Sequence, residues 1–315
     1  MKRSTPILVA ACLGLWFGAA VPAPAAETTA APQTAERART LVIGVVTSDP
    51  KKQLPKLQAM ADYLASRLGD RGIERGAVVA AANNEEMIRL LRTGAVDLFS
   101  ATAFSAVQFA TEAGAEILLR EWKKGVAEYH TVFITRRDSG IASLADLRGR
   151  KIGFEDSGST TGFLLPLAML RLEGLAAVEI PPNGHPAPGA IGYAFADEEV
   201  NIAVWVARGI VDAGAISDQD WEDVQRTPDP IKQDLVIFHA SEPLFRSSIL
   251  ARGGLDQELK AGLKDVLGAM HTDAAGQKAL KAYYGVAKYD EIGDLGRQGL
   301  DMVRRLYPLV VAEIR

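Results

Sequence analysis

Leu41-Val42-Ile43-Gly44-Val45-Val46 decides the fold. Six consecutive apolar residues have the length of a strand. Without polar alternation both faces must be covered, the pattern of a parallel sheet with helices on either side. The chain beyond supplies those helices. Between 54 and 68, Leu57, Met60, Ala61, Leu64 and Leu68 form one apolar helical stripe that ends at Gly69. Residues 78–82 read as a short strand, and Asn83 or Asn84 as the cap of a helix whose Glu85 and Glu86 suit its positive end. Residues 96–99 then read as a strand and 103–113 as a helix. This β-α-β-α-β order predicts a doubly wound lobe.

A strand over 130–135, the polar-capped turn at 143–150 and a strand over 151–154 open a second β/α unit. It continues through a helix over 161–172, a Pro- and Gly-rich loop over 181–192, a helix over 200–208 and a strand over 213–216. Strands over 234–239 and 247–251 follow, and helices over 256–270, 274–283 and 296–315 close the chain. The expected fold is α/β, with two doubly wound lobes joined by a two-stranded hinge. Lobe 1 is read as 40–135 plus 239–315, and lobe 2 as 136–238. The closing helices are expected on lobe 1. Two chain crossings would let the lobes close on a ligand by small backbone changes.

The length of 315 residues suits two lobes, and 48% hydrophobic with 23% charged residues marks a folded chain rather than a disordered one. A formal charge of −4 without any basic run interleaved with aromatics argues against nucleic acid. Lys123-Lys124 and Arg136-Arg137 are only pairs, read as solvated edges. Lys2-Arg3, an apolar run over 7–21 and Ala23-Pro24-Ala25 form a secretory signal peptide over 1–25, cut after Ala25. Val9-Ala10-Ala11-Cys12 also has the look of a lipoprotein signal. Cys12 is the single cysteine, so the mature chain has no disulfide. Residues 26–39, rich in Ala, Thr and Pro, read as a flexible linker.

The chemistry centres on Gly153-Phe154-Glu155-Asp156-Ser157-Gly158-Ser159-Thr160-Thr161-Gly162-Phe163-Leu164-Leu165-Pro166, a strand end followed by small polar residues and an apolar helix. Free N–H groups, the positive dipole end and several hydroxyls make such a helix start a receptor for an anion. Gly162 allows close backbone approach. An ordinary cap uses the same residue types, and the residues alone leave both readings open. The segment is not a nucleotide P-loop, because no Lys follows a glycine at the required spacing. Strand ends in open sheets are where ligands bind, which adds Thr47, Ser48, Ser100, Thr102 and Ser217 as polar contacts. Tyr129 and Trp221 either wall a cleft or belong to the core. His130, His185, His239 and His271 lack ligand spacing, so neither a metal nor a cofactor is expected.

The segment resembles the phosphonate-binding proteins of ABC importers, a branch of the type 2 periplasmic binding proteins, over about residues 41 to 285. Further matches are Gly94-Ala95-Val96-Asp97, the Tyr129 strand, Ser143-Leu144-Ala145-Asp146-Leu147 and Val211-Asp212-Ala213-Gly214. The resemblance implies a two-lobed fold, a periplasmic setting and a ligand held in the cleft. It also implies that Ser159, Thr160, Thr161 and Gly162 hold an oxyanion. The chain departs from the family where Ser100-Ala101-Thr102 replaces a tyrosine and where Asp197-Glu198-Glu199 stands in place of a histidine. Glu199 is therefore a candidate contact, and the acidic stretch should disfavour a doubly charged anion. The residue that holds an amino group in aminophosphonate binders falls near Asp218 or Gln219, and Asp218 serves equally well as a turn cap.

The resemblance implies a monomer that carries a small oxyanion, such as phosphate, phosphite or a phosphonate, to an ABC permease or to a membrane sensor kinase. A serine hydrolase is not expected, because the chain has no Gly-x-Ser-x-Gly elbow and no histidine placed to serve Ser157 or Ser159.

Overall fold

A computed structural model describes residues 40–181 and 183–314. The expected leader with Cys12 and the linker over 26–39 lie outside those residues. The opening apolar run forms β1 (Thr40–Val46), parallel to β2 (Arg75–Ala81) and β3 (Leu98–Ala101). α1 (Pro50–Arg67) joins β1 to β2 and packs so closely that a Cβ on Gly76 would lie 2.3 Å from the Ala61 carbonyl. α2 (Asn84–Arg92) leads to β3, with the Asn83 side chain accepting the Glu86 N–H at its start.

α3 (Ala103–Ala113) follows β3, and β4 (Glu116–Lys123) is a strand the composition did not reveal. The first sheet is completed from the far end of the chain. β13 (Ser247–Ala251) inserts antiparallel between β3 and β4, and β14 (Val286–Asp290) adds an antiparallel edge. The sheet is therefore mixed, in the order β14-β4-β13-β3-β1-β2. Of the closing helices, α8 (Gln257–Ala269) and α9 (Ala274–Ala282) cover this lobe, where Leu263, Leu267, Ala279 and Leu280 join the core around Leu57 and Leu64.

The second sheet holds β6 (Thr131–Arg136), β7 (Lys151–Phe154), β8 (Ala177–Glu179), β9 (Ile191–Phe195), β10 (Ala213–Ser217) and β11 (Leu235–Ala240). Its order is β11-β6-β10-β7-β9-β8, with α4 (Leu165–Leu172), α5 (Glu199–Ala207), α6 (Asp218–Glu222) and α7 (Asp229–Lys232) between strands. β6 pairs with both β10 and β11. The chain accordingly changes lobes between Tyr129 and Thr131 and again between Ala240 and Leu244, rather than near 135 and 239. Val132, Phe133 and Ile134 are buried on both faces of that strand, which commits all of β6 to the second lobe. The crossing segments pair with each other as β5 (Glu128–Tyr129) and β12 (Leu244–Phe245), a two-stranded hinge.

α10 (Asp294–Val310) departs from the expected place on lobe 1, because its buried stripe of Leu300, Val303, Leu306, Tyr307 and Val310 is broad enough to meet both lobes. Tyr307 donates to Glu112 Oε1 of α3 at 3.2 Å. Arg171 at the end of α4 donates to the Leu309 carbonyl at 2.6 Å and pairs with Glu313 at 2.7 Å.

Candidate functional site

The carboxyl ends of the parallel strands in both sheets point at one gap. Thr47 follows β1, Thr102 follows β3, Glu155 follows β7, Asp197 lies just beyond β9 and Asp218 follows β10. Ligands of open α/β sheets sit beyond such edges. Two helices start in this gap from opposite sides. α3 begins after Thr102, whose hydroxyl makes no cap bond to its own helix. A π-turn over Thr160–Leu164 runs directly into α4. The Thr160 hydroxyl donates to Thr102 Oγ1 at 3.0 Å, so the two starts meet across the lobes. Each adds unpaired N–H groups and the positive end of its dipole to the same point.

The lobe 2 start is fixed from below by aromatic packing, with Phe163 edge-on to Phe154 at 5.3 Å and to Phe195 at 4.9 Å between ring centres. Within it the four expected residues divide their work. Ser159 accepts the Gly162 N–H at 2.9 Å and is the cap of the turn. Thr160 faces the other lobe, and Thr161 gives its carbonyl to the Thr131 hydroxyl at 3.0 Å. What comes close to Gly162 is a side chain: a Cβ there would lie 2.7 Å from Glu155 Cβ and 2.8 Å from Glu155 Oε2.

Glu155 is thus a half-buried carboxyl lodged at the helix start. Burial, with Glu199 and Asp156 beside it, pushes its pKa up to about 8, against the lowering effect of the Ser159 hydroxyl. A carboxyl that holds its proton to higher pH competes less as an anion for the N–H groups. Glu199 opens α5 and pairs with Arg226 at 2.9 Å, and Arg226 also reaches Glu198 at 3.2 Å. The acidic stretch is therefore partly neutralised from within, which tempers the expected repulsion of an anion. Asp197 turns the chain at φ 64° and gives its N–H to the Glu155 carbonyl at 3.0 Å.

Lobe 1 contributes cations that sequence reading missed. Lys123, at the end of β4, lies with its ammonium 5.4 Å from the centre of the Tyr284 ring, and burial lowers its pKa. Arg246, between β12 and β13, lies 6.0 Å from the centre of the Tyr129 ring. Among the described residues neither cation has an ion pair. Tyr129 is buried, within reach of the Thr160 and Thr161 side chains, and burial raises its phenol pKa. Only Lys124 of the basic pair is a solvated edge, at a φ of 53° in the turn after β4. The sequence offered one signal for Lys123: Glu121 and Lys123 alternate on one face of β4.

Thr47 and Ser100 line a cavity of about 260 Å³ on the lobe 1 side. Thr47 Oγ1 accepts the Asp49 N–H at 3.0 Å, and Ser48 is exposed beyond it. Asp218 accepts the His130 N–H at 3.0 Å and the Gln219 amide at 3.1 Å, which uses both its oxygens inside lobe 2. The Ser217 hydroxyl is spent on Asp220 at 2.5 Å. Trp221 packs against the Val132 and Ile202 cluster behind the sheet, with Lys232 over its ring at 4.7 Å. A larger groove of about 1000 Å³ lies between α2 and α3, lined by Asn83, Asn84, Arg89, Gln108 and Glu112 rather than by the lobe 2 helix start. Among the described residues no group of three or more His, Cys, Asp and Glu side chains could hold a metal ion.

The family model of the ABC transporter phosphonate periplasmic substrate-binding protein matches residues 43–294. XAC2383 of Xanthomonas citri, in a structure bound to chloride ion, is 30% identical with a TM-score of 0.80; the match covers 88% of this chain and 100% of that one. The same protein bound to ATP matches over the same shares with a TM-score of 0.79. PhnD1 of Prochlorococcus marinus, in complex with methylphosphonate, shares the fold at 16% identity and a TM-score of 0.59, over 87% of this chain and 98% of its own. The chain belongs to the phosphonate family of periplasmic substrate-binding proteins of ABC transporters. Its two lobes and hinge are those of a type 2 periplasmic binding protein.

Proposed function

We propose that the protein works in the periplasm, captures a small oxyanion-bearing ligand between its lobes and delivers it unchanged to an ABC permease. The observation that carries this reading is the convergence of two helix starts, with the Thr160 and Thr102 hydroxyls 3.0 Å apart. An oxyanion at that point takes hydrogen bonds from both lobes at once, which couples binding to closure. Lys123 and Arg246 add positive charge, and Tyr129 adds a buried phenol beside Thr160. Thr161, Gly162, Ser159 and Glu199 shape the lobe 2 wall, whereas Ser48 and Asp218 carry less of the contact. The ligands seen on the Xanthomonas citri relative, chloride and ATP, are both anions, in keeping with this reading.

The test is isothermal calorimetry with phosphate and methylphosphonate on the Thr160→Val, Thr102→Val double variant. Loss of charge-assisted hydrogen bonds should weaken binding by about 1–3 kcal/mol. Equal affinity in the variant and the parent would overturn the assignment.

A further inference from the structure

The cavity beside the helix starts has a chemistry of its own. Its floor is a hydroxyl relay whose hydrogens are already spoken for. The Ser100 hydroxyl donates to Glu121 Oε1 at 3.1 Å, and the Tyr283 hydroxyl, 2.7 Å from Ser100 Oγ, must then donate to Ser100. Ser247 donates to Glu121 Oε2 at 2.5 Å, and Tyr289 donates to Oε1 at 3.2 Å. Gln53, in the first turn of α1, lines the same cavity, and its Oε1 is buried with no hydrogen-bond partner among the described residues. The floor therefore offers lone pairs rather than hydrogens, and the wall holds one acceptor, Gln53 Oε1, that no donor of the described residues satisfies. Buried polar groups are normally satisfied, so an orphaned acceptor beside a cleft marks the place of a ligand donor.

The rim selects among donors. Lys123 and Lys56 lie 5.4 and 5.3 Å from the centre of the Tyr284 ring, and two cations there oppose an ammonium group. The Glu121 carboxyl, 2% exposed and already surrounded by hydroxyls, opposes a second anionic group on the floor. Neutral hydroxyls satisfy both conditions, and the Tyr284 ring offers a flat face to a carbon skeleton. Ser100 and Thr102 both line this cavity, so a group placed there is continuous with an oxyanion held at Thr160.

We infer that this lobe 1 cavity is a second subsite, read through Gln53, Glu121 and Tyr284, for a neutral hydroxyl-bearing tail. The ligand class is then a phosphate ester or phosphonate of a polyhydroxylated carbon skeleton, rather than a bare oxyanion or one with an amino tail. The inference rests on the oxyanion reading and adds the tail to it.

The experiment is a calorimetric comparison of four probes: inorganic phosphate, ribose 5-phosphate, phosphoethanolamine and 3-phosphoglycerate. Ribose 5-phosphate should bind at least about 10-fold more tightly than phosphate, the size expected of one or two satisfied buried hydrogen bonds. Phosphoethanolamine and 3-phosphoglycerate should bind no more tightly than ribose 5-phosphate. Gln53→Leu should abolish most of the preference for ribose 5-phosphate, leave phosphate affinity unchanged and keep or raise the melting temperature, because the oxygen it removes has no hydrogen-bond partner among the described residues. Equal binding of phosphate and ribose 5-phosphate, tighter binding of either charged-tail probe, or an equal loss for both phosphates in Gln53→Leu would overturn the tail assignment alone. Binding of none of the four probes would overturn the oxyanion reading together with it.

Discussion

Two helix starts face each other across the cleft, and they are built differently. The lobe 1 start at Thr102-Ala103 has no cap bond from its threonine, and Lys123 and the Ser100 hydroxyl relay stand nearby. The lobe 2 start at Thr160 is capped by Ser159 and crowded by Glu155, with Glu199 and Asp156 behind. The same backbone device is thus set in a cationic surrounding on one side and an acidic one on the other. On the proposed reading, an anion between them would gain charge attraction from lobe 1 and directional hydrogen bonds from lobe 2.

The largest expected break in this comparison is Gly162→Ala. A methyl 2.7 Å from Glu155 Cβ forces the lobe 2 turn apart, whereas the lobe 1 start already carries a Cβ at Ala103. Urea unfolding should show a loss of up to about 3 kcal/mol, the upper range for overpacking; an unchanged midpoint would mean that Glu155 does not fill this place.

A smaller effect follows from pH. The Glu155 carboxyl is raised from an ordinary 4.5 to about 8 in the folded chain, so between those values the folded protein holds a proton that the unfolded chain releases. Stability from this group is present at acid pH and is lost as pH rises from 4.5 toward 8. With part of the carboxyl open to solvent, the loss should be about 1–2 kcal/mol. Phosphate affinity should also fall above pH 8, where an ionised Glu155 takes the helix start for itself. Glu155→Gln should flatten both profiles, and melting curves with calorimetry at pH 6.5 and 9 on parent and variant decide the point.

The smallest effect concerns the acidic wall. Arg226→Ala frees Glu198 and Glu199 from their cation, and phosphate binding at low salt should weaken about two- to three-fold, with the difference fading as salt screens it. No difference at low salt would place the pair outside the field felt by the ligand.

Much of the fold was legible because local patterns agreed with it. The apolar run of β1, the Asn83 cap, the 103–113 helix and the 151–154 strand each follow from residues close in sequence. β4 was not legible, since Glu116, Arg120, Glu121 and Lys123 are residue types that strands disfavour, and it is held by pairing with β13 from far along the chain. β9 was likewise hidden in a Gly- and Pro-rich stretch, and only its burial between β7 and β8 makes it a strand. The helix start at 159–162 was readable as an anion receptor or a cap: Ser159 is the cap, and the proposed anion grip rests on Thr160, whose hydroxyl reaches Thr102.

By itself the sequence determined the two α/β lobes and the small polar helix start, because periodicity and capping act over a few residues, whereas the place of the hinge followed from the pairing of β6 with β10 and β11. Tertiary structure alone decided that a second helix start meets the first at Thr102 and that Glu155 covers Gly162. It also brought Lys123 and Arg246 into the cleft with no ion-pair partner among the described residues. Electrostatics and cavity shape depend on distances between segments far apart in the chain, and those distances exist only once the sheets have closed their registers.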